Sequence, residues 1–301
     1  MAEAVSLPGV AAVPTRSLWG EAARRFRRHR LATAGLVVLL VLVLLCALAA
    51  WISPYGPNAI NLRARSQPPS WAHWLGTDGT GRDIVARVLF GGQISLAVGI
   101  AAVSVSAAIG IAVGCIAGYF GGKADLILTS VIDMVLTFPR LVLIIAFVAV
   151  VGPGIFNTML VIGLLSWPST ARLTRGEILS LRGSEFIQAA QALGSSSRVI
   201  IAEHVLPNIL SPILVAVTLD VATVILLEAS LSFLGLGAQP PTPSWGNMLR
   251  DARTLSILEG QPWLWLPPGL LIALTVLSVN AVGDGLRDAL DPRHVQRGGP
   301  A

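Results

Sequence analysis

Long apolar runs separated by short polar connections dominate the chain, and the runs have the length of membrane spans. A helix needs about 20 predominantly apolar residues to cross roughly 30 Å of hydrocarbon. Six stretches meet that need: Leu31–Ile52, Ser95–Gly118, Leu126–Val151, Ile155–Ala171, Asn208–Leu227 and Trp263–Val282. The fourth is the shortest, and Gly152-Pro153-Gly154 ahead of it is a strong turn signal. The pattern predicts an all-α integral membrane protein of six transmembrane helices. It divides into a tail (1–30), a first helix (31–53), a connection (54–94), a five-helix core (95–283) that contains a polar loop (172–206), and a tail (284–301). The connection begins Pro54-Tyr55-Gly56-Pro57 and passes through Pro68-Pro69, which predicts a first span that is peripheral and loosely tethered. Ahead of Arg24 the chain is rich in Ala, Val, Pro and Ser without helical period, so residues 1 to about 18 are expected to be disordered.

The polar loop has structure of its own. Glu185, Gln188, Ala189 and Ala190 lie in a run of helix formers that Ser184 is placed to cap and Gly194 to end. Ser195-Ser196-Ser197 then restarts a helix that re-enters the membrane near Pro207. A short helix held between two spans is a shape that a soluble partner can grip.

Composition agrees with the membrane reading: 54% of the 301 residues are hydrophobic and 12% charged, with mean hydropathy +0.74, against about 25% charged in soluble domains. Charge position adds orientation. With the N-terminus inside, the cytoplasmic segments carry 14 Lys and Arg and the opposite segments 6. Such residues are retained in the cytoplasm, so both tails and the 172–206 loop are expected there. The cluster Arg24-Arg25-Phe26-Arg27-Arg28-His29-Arg30 reads as a positive-inside anchor, and no nucleic-acid partner is expected. A first apolar run of 22 residues is longer than a cleaved signal core.

Catalytic and nucleotide-binding chemistry is missing. Lys123, the single lysine, is followed by Ala124, so there is no G-x-x-x-x-G-K-[ST] phosphate loop. His29, His73, His204 and His294 are scattered, with no metal-ligand spacing, and no G-x-S-x-G elbow occurs. Gly76-Thr77-Asp78-Gly79-Thr80-Gly81 follows no predicted strand and reads as a structured turn before a helix. Cys46 and Cys115 fall within spans, which does not indicate a disulfide framework. No enzyme activity and no cofactor are expected.

Four ionisable residues lie in or at the ends of spans, where charge is costly and marks function. Counting along straight helices, Arg140 lies about 21 Å into the third span and Asp220 about 18 Å into the fifth, so the two could meet. Asp133, about 10 Å from Arg140 on one helix, faces the same way but is a poor direct partner. Either these residues lie on a transport path or Arg140 and Asp220 form a buried structural pair. Glu228 is placed at the outer end with Phe233 and Leu234, in a segment that could dock a partner, form a plug, or pack on the helix ends.

From about Arg24 to Arg293 the chain resembles the C-type permease subunits of dipeptide and oligopeptide ABC importers, within the peptide/nickel permease family. The resemblance rests on Leu75-Gly76-Thr77-Asp78 with Gly81-Arg82-Asp83 and Arg87, on Gly118-Tyr119-Phe120-Gly121-Gly122, on the loop from Gly183 to Asn208, which is similar to the EAA loop of these permeases, and on Glu228-Ala229-Ser230-Leu231-Ser232-Phe233-Leu234-Gly235-Leu236-Gly237 followed by Pro243-Ser244-Trp245-Gly246. It departs from the EAA pattern at Gln188, where Glu is usual, and at His204. The resemblance implies a type I importer in a bacterial or archaeal cell membrane. Its partners would be a second homologous permease in a heterodimer, two ATP-binding subunits that Ala189 and Ala190 would approach closely, an extracytoplasmic solute-binding protein, and the surrounding lipid. It implies peptide cargo, with nickel or another small solute as the alternative. A stand-alone secondary transporter or channel would offer no account of the EAA-like loop.

Overall fold

Side-chain caps open some of the helices, and glycine or proline ends several of the long ones. The computed structural model describes residues 18–290, and among them no strand forms. The amphipathic α1 (Leu18–Arg28) leads into α2 (Arg30–Ala47), whose first turn His29 caps by accepting from the Ala32 amide at 3.1 Å; the short α3 (Ala49–Ile52) completes it. The expected disorder of residues 1 to about 18 lies outside the described residues, apart from Leu18.

The longest uninterrupted α-helix is α4 (Ile84–Phe120), 37 residues, starting eleven positions before the expected Ser95. Asp83 caps it, its Oδ1 accepting from the Ala86 amide at 2.8 Å. After Gly121, at φ +66°, the chain turns into α5 (Gly122–Thr137). The expected straight third span is broken here. Pro139 pushes Phe138 into an extended conformation (φ −90°, ψ 142°), and α6 (Arg140–Val151) departs at 88° to α5.

α7 (Ile155–Leu181) runs ten residues past the expected Ala171, so the first part of the 172–206 loop is helix. Next come α8 (Glu185–Ala192), α9 (Ser197–Val199), a π-turn over Ile200–Val205, and α10 (Leu206–Phe233). The short α11 (Trp245–Asp251) and α12 (Leu255–Gly260) precede α13 (Leu266–Leu290). Among the described residues, four helical stretches are long and apolar enough to cross a membrane, or five if the bent α5–α6 pair is one span.

Packing order explains the core. α4 lies between α7 and α10, α13 backs α10, and α2 lies along α13. The first span is peripheral but not loosely tethered, because Gln93 Nε2 on α4 donates to the Cys46 carbonyl at 2.7 Å and α2 packs along α13. The α4–α7 seam is closed by Gly110, Gly114 and Gly118. A Cβ at Gly110 would fall 2.6 Å from Thr170 Cβ, and one at Gly114 would fall 2.6 Å from the Ala171 carbonyl oxygen. Small residues at every fourth position bring the backbones together, the usual solution where lipid removes the hydrophobic drive between helices.

Candidate coupling helix and intramembrane charges

α8 is short, and its two ends are fixed by its own loop. Ser184 stands at the N-cap with extended geometry (φ −71°, ψ 147°), but its hydroxyl makes no capping bond. Gln188 holds this end instead, its amide Nε2 donating to the Gly183 carbonyl at 3.1 Å. A glutamate there has no proton to donate when ionised. At the other end Gly194 adopts φ +80°; its amide donates to the Gln191 carbonyl at 3.0 Å and the Ser195 amide to the Ala190 carbonyl at 3.1 Å. This paired pattern is the Schellman stop.

The two faces of α8 differ. Ile187 and Ala190, three apart and so on one side, are buried with Ile178, Ile200, Val205 and Ile209. The expectation that both alanines face a partner is therefore corrected. Ala190 packs against its own chain, and only Ala189 points outward. Phe186, Ala189 and Leu193 share the outer side at spacings of three and four, and Leu193 is 86% exposed. Phe186 and Leu193 escaped the sequence reading, although their spacing was visible. Glu185 and Gln188 are exposed on the same helix. Pro207 follows the π-turn, which contains Glu203, the residue four positions back whose carbonyl the Pro ring would otherwise meet.

Arg140 opens α6, and its Nη1 lies 3.5 Å from Asp220 Oδ1 on α10, while Nη2 donates to Ser166 on α7. The structure thus brings these two residues together, through the bend rather than along a straight span. The contact is single-pronged and half-buried, with side chains 30% and 20% exposed. Asp133 pairs with Arg172 of α7, both more than half exposed. Asp125 accepts from Arg175 Nε and from its Nη2, the latter at 2.8 Å. Two ion pairs therefore stitch α5 to α7. Arg172 and Arg175 were missed because counting placed them in a loop.

Glu228 does not lie on an outer surface. It is 0% exposed; its Oε1 accepts from Ser232 Oγ at 2.7 Å and its Oε2 has no partner. The chain after α10 folds back over it. Trp245 is fully buried, donating from Nε1 to the Val88 carbonyl at 2.9 Å and from its amide to Ser95 Oγ at 3.3 Å. Phe233 and Leu234 are exposed, whereas Leu231 is buried.

At the same end, the turn Leu75–Asp83 is built as a structured lead into α4. Asp83 also bonds His73 Nδ1 at 2.9 Å. Burial would raise the Asp78 carboxyl, but the Arg82 and Thr80 amides, the Thr80 hydroxyl and the Arg82 charge outweigh it and hold the group below its ordinary value.

Comparison with known proteins fits this architecture. Residues 110–296 match the family model of the binding-protein-dependent transport system inner membrane component, and residues 17–69 match that of the N-terminal transmembrane domain of oligopeptide transport permease C. A peptide permease protein of Brucella suis is 46% identical over 272 residues, covering 90% of each chain. The dipeptide transport system permease protein DppC of Alkalihalophilus pseudofirmus is 43% identical over 92% of this chain and 90% of that one. The glutathione transport system permease protein GsiD of Escherichia coli is 44% identical over 96% and 95%. Among solved structures, the inward-facing MetNI methionine ABC transporter superposes with TM-score 0.54 at 18% identity, over 68% of this chain and 96% of that one. That likeness concerns the fold.

Proposed function

The chain belongs to the family of binding-protein-dependent transport system inner membrane components, and we propose that it is the permease subunit through which an ATP-driven importer takes up peptides. The observation that carries the reading is α8. It is anchored by Ile187 and Ala190 on the helix bundle and turns Phe186, Ala189 and Leu193 outward, uncovered among the described residues. The names of the relatives, which speak of dipeptide, glutathione and peptide transport, support the cargo.

In this reading α7 is a sixth span beside α2, the bent α5–α6 pair, α4, α10 and α13. Its 27 residues reach about 40 Å, and its arginines are neutralised by α5. The arginine distribution supports a cytoplasmic placement of both tails and α8, and the family supports a bacterial or archaeal cell membrane. One of two ATP-binding subunits meets α8, a second permease completes the path, and a solute-binding protein docks opposite, near Phe233 and Leu234. ATP hydrolysis belongs to the ATP-binding subunits, and this chain does no chemistry.

Closure of the ATPase pair would pull α8, and through the Ile187–Ala190 anchor would tilt the core helices. Glu185, Gln188, Gly194 and Pro207 shape that joint. Arg140, Asp220 and Asp133 lie on the path, since charges in or beside apolar helices that stay partly exposed on this chain need water rather than lipid beside them. The test is uptake by the purified complex in liposomes. ATP-dependent accumulation of a labelled dipeptide is expected; accumulation of nickel but of no peptide would contradict the reading.

A further inference from the structure

The turn Leu75–Arg82 and Arg87 carry much of the sequence resemblance yet have no part in coupling or in the path. They wall a cavity of about 310 Å³ between this turn and α11 and α12. It stands at the start of α4, about 55 Å along that helix from the end that packs near α8. Its floor is apolar, from Ile84, Met248 and Leu264, and its polar groups include Asp78, Arg82, Arg87 and Gln261.

The hydrogen-bonding capacity of the walls is unevenly used. Asp78 is saturated: Oδ1 accepts from the Thr80 amide, the Thr80 hydroxyl and the Arg82 amide at 2.7–3.0 Å, and Oδ2 accepts from Arg82 Nε at 2.7 Å. Arg87 is the reverse. It is 3% exposed, its one hydrogen bond goes from Nη1 to the Pro57 carbonyl at 3.4 Å, and its Nε is 3.8 Å from Asp78. A guanidinium has five donors, and a buried one needs acceptors. Arg82 has both terminal nitrogens to spare beyond its Nε bond. Gln261 Oε1 is shielded from the open space and offers it no acceptor. Asp251 at the rim lies 3.6 Å from Arg250, and its charge also reaches Arg87 without a hydrogen bond to it.

The missing group therefore has two acceptor oxygens in a plane to meet a guanidinium fork and an apolar stem to lie on Ile84 and Met248. A glutamate or aspartate side chain has both. We propose that this cavity is the receptor for a carboxylate side chain of the solute-binding protein that docks on the extracytoplasmic face. The proposal rests on the importer reading and deepens it, fixing where the docked partner is held. A buried charge pair of this kind governs dissociation more than encounter.

The test uses the whole complex in lipid discs and reads the binding-protein concentration that half-saturates stimulated ATP hydrolysis. Arg82→Glu and Arg82→Gln are expected to raise it at least about tenfold, and Arg87→Lys, which keeps charge but loses the fork, to raise it less. Ile257→Trp, which fills the cavity from its apolar side, should raise it without touching a charge, so a variant that fails to assemble leaves another to decide. With Arg82→Glu, reversing surface carboxylates of the binding protein to lysine one at a time should restore affinity at a single position. Unchanged half-saturation in assembled Arg82→Glu and Ile257→Trp complexes would overturn the proposal, as would the absence of any rescuing position. Stabilisation by free glutamate or phosphate with unaltered binding-protein affinity would assign the cavity to a small anion instead. An unsubstituted complex that no loaded binding protein stimulates would count against the importer reading itself, before any variant is compared.

Discussion

Arg140, at the first turn of α6, reaches across the bundle to within 3.5 Å of Asp220 on α10, and the 88° break between α5 and α6 is what aims it there. On a straight helix through residue 139 the guanidinium would leave in a different direction. The proline that interrupts the span is thus also the device that closes a charge pair, with Ser166 of α7 as a third member.

Removing one partner should cost more than removing both. Arg140→Ala strands a half-buried carboxylate, at a cost between the roughly 1 kcal/mol of an exposed pair and the roughly 3–5 kcal/mol of a buried one. The double substitution Arg140→Ala with Asp220→Ala is expected to recover assembly of the complex, read by size-exclusion chromatography. A double variant assembled no better than either single would reject the pairing. Assembly recovered with uptake still absent is the result expected of residues on the path.

The stitch between α5 and α7 is testable by exchange. Arg175→Asp should loosen the α5–α7 contact and lower the thermal midpoint of the purified complex, and adding Asp125→Arg should restore it. No restoration would mean that the bidentate contact contributes nothing to holding α5.

Side assignment is tested by labelling. In a variant lacking the buried Cys46 and Cys115, Leu193→Cys and Leu255→Cys are both highly exposed in this chain. An impermeant thiol reagent outside intact cells is expected to modify the second and not the first. Modification at position 193 from outside would invert the topology.

Much of this architecture was legible, and the gaps have physical causes. Four of the six apolar runs coincide with helices long and apolar enough to span, and a fifth with the bent α5–α6 pair; Gly194 announced the end of α8 because only a residue free of Cβ adopts φ +80° without strain. The Phe138-Pro139 break was in plain view, but a run read for hydrophobicity alone passes over two residues that do not change its mean. α7 was cut short at Ala171 because arginines were taken as the end of a span, whereas Asp133 and Asp125 on α5 keep them paired alongside helix. Ala190 was given the wrong face although Ile187, three residues before it, marks the buried side. Glu228 could not be placed from local sequence, since its burial depends on Trp245 and its neighbours returning over the end of α10. Arg87, named for the resemblance, was left in the 54–94 connection for want of a helix start at Ile84.

The joint at Gly194 can be disturbed without crowding. Among the described residues no atom lies within 4 Å of a Cβ placed there, so Gly194→Val acts through its backbone conformation, at about 1–2 kcal/mol for a left-handed residue. Gly194→Asn should be tolerated. Ala190→Trp, by contrast, is expected to lift α8 off Ile178 and Val205, and protease sensitivity between Leu181 and Ser197 should rise. If α8 stays protected in Ala190→Trp, its anchor lies elsewhere.

The central claim is that the outer face of α8 transmits ATPase closure to this chain. Its most direct test is ATP hydrolysis stimulated by loaded binding protein, measured together with peptide uptake, for Phe186→Asp with Leu193→Asp, two exposed positions whose change leaves the anchor of Ile187 and Ala190 intact. The account expects both rates to fall together by about tenfold or more, the equivalent of about 1.4 kcal/mol at the joint, in a chain that still inserts and still pairs with its partner permease. Normal stimulated hydrolysis and normal uptake in that variant would contradict it.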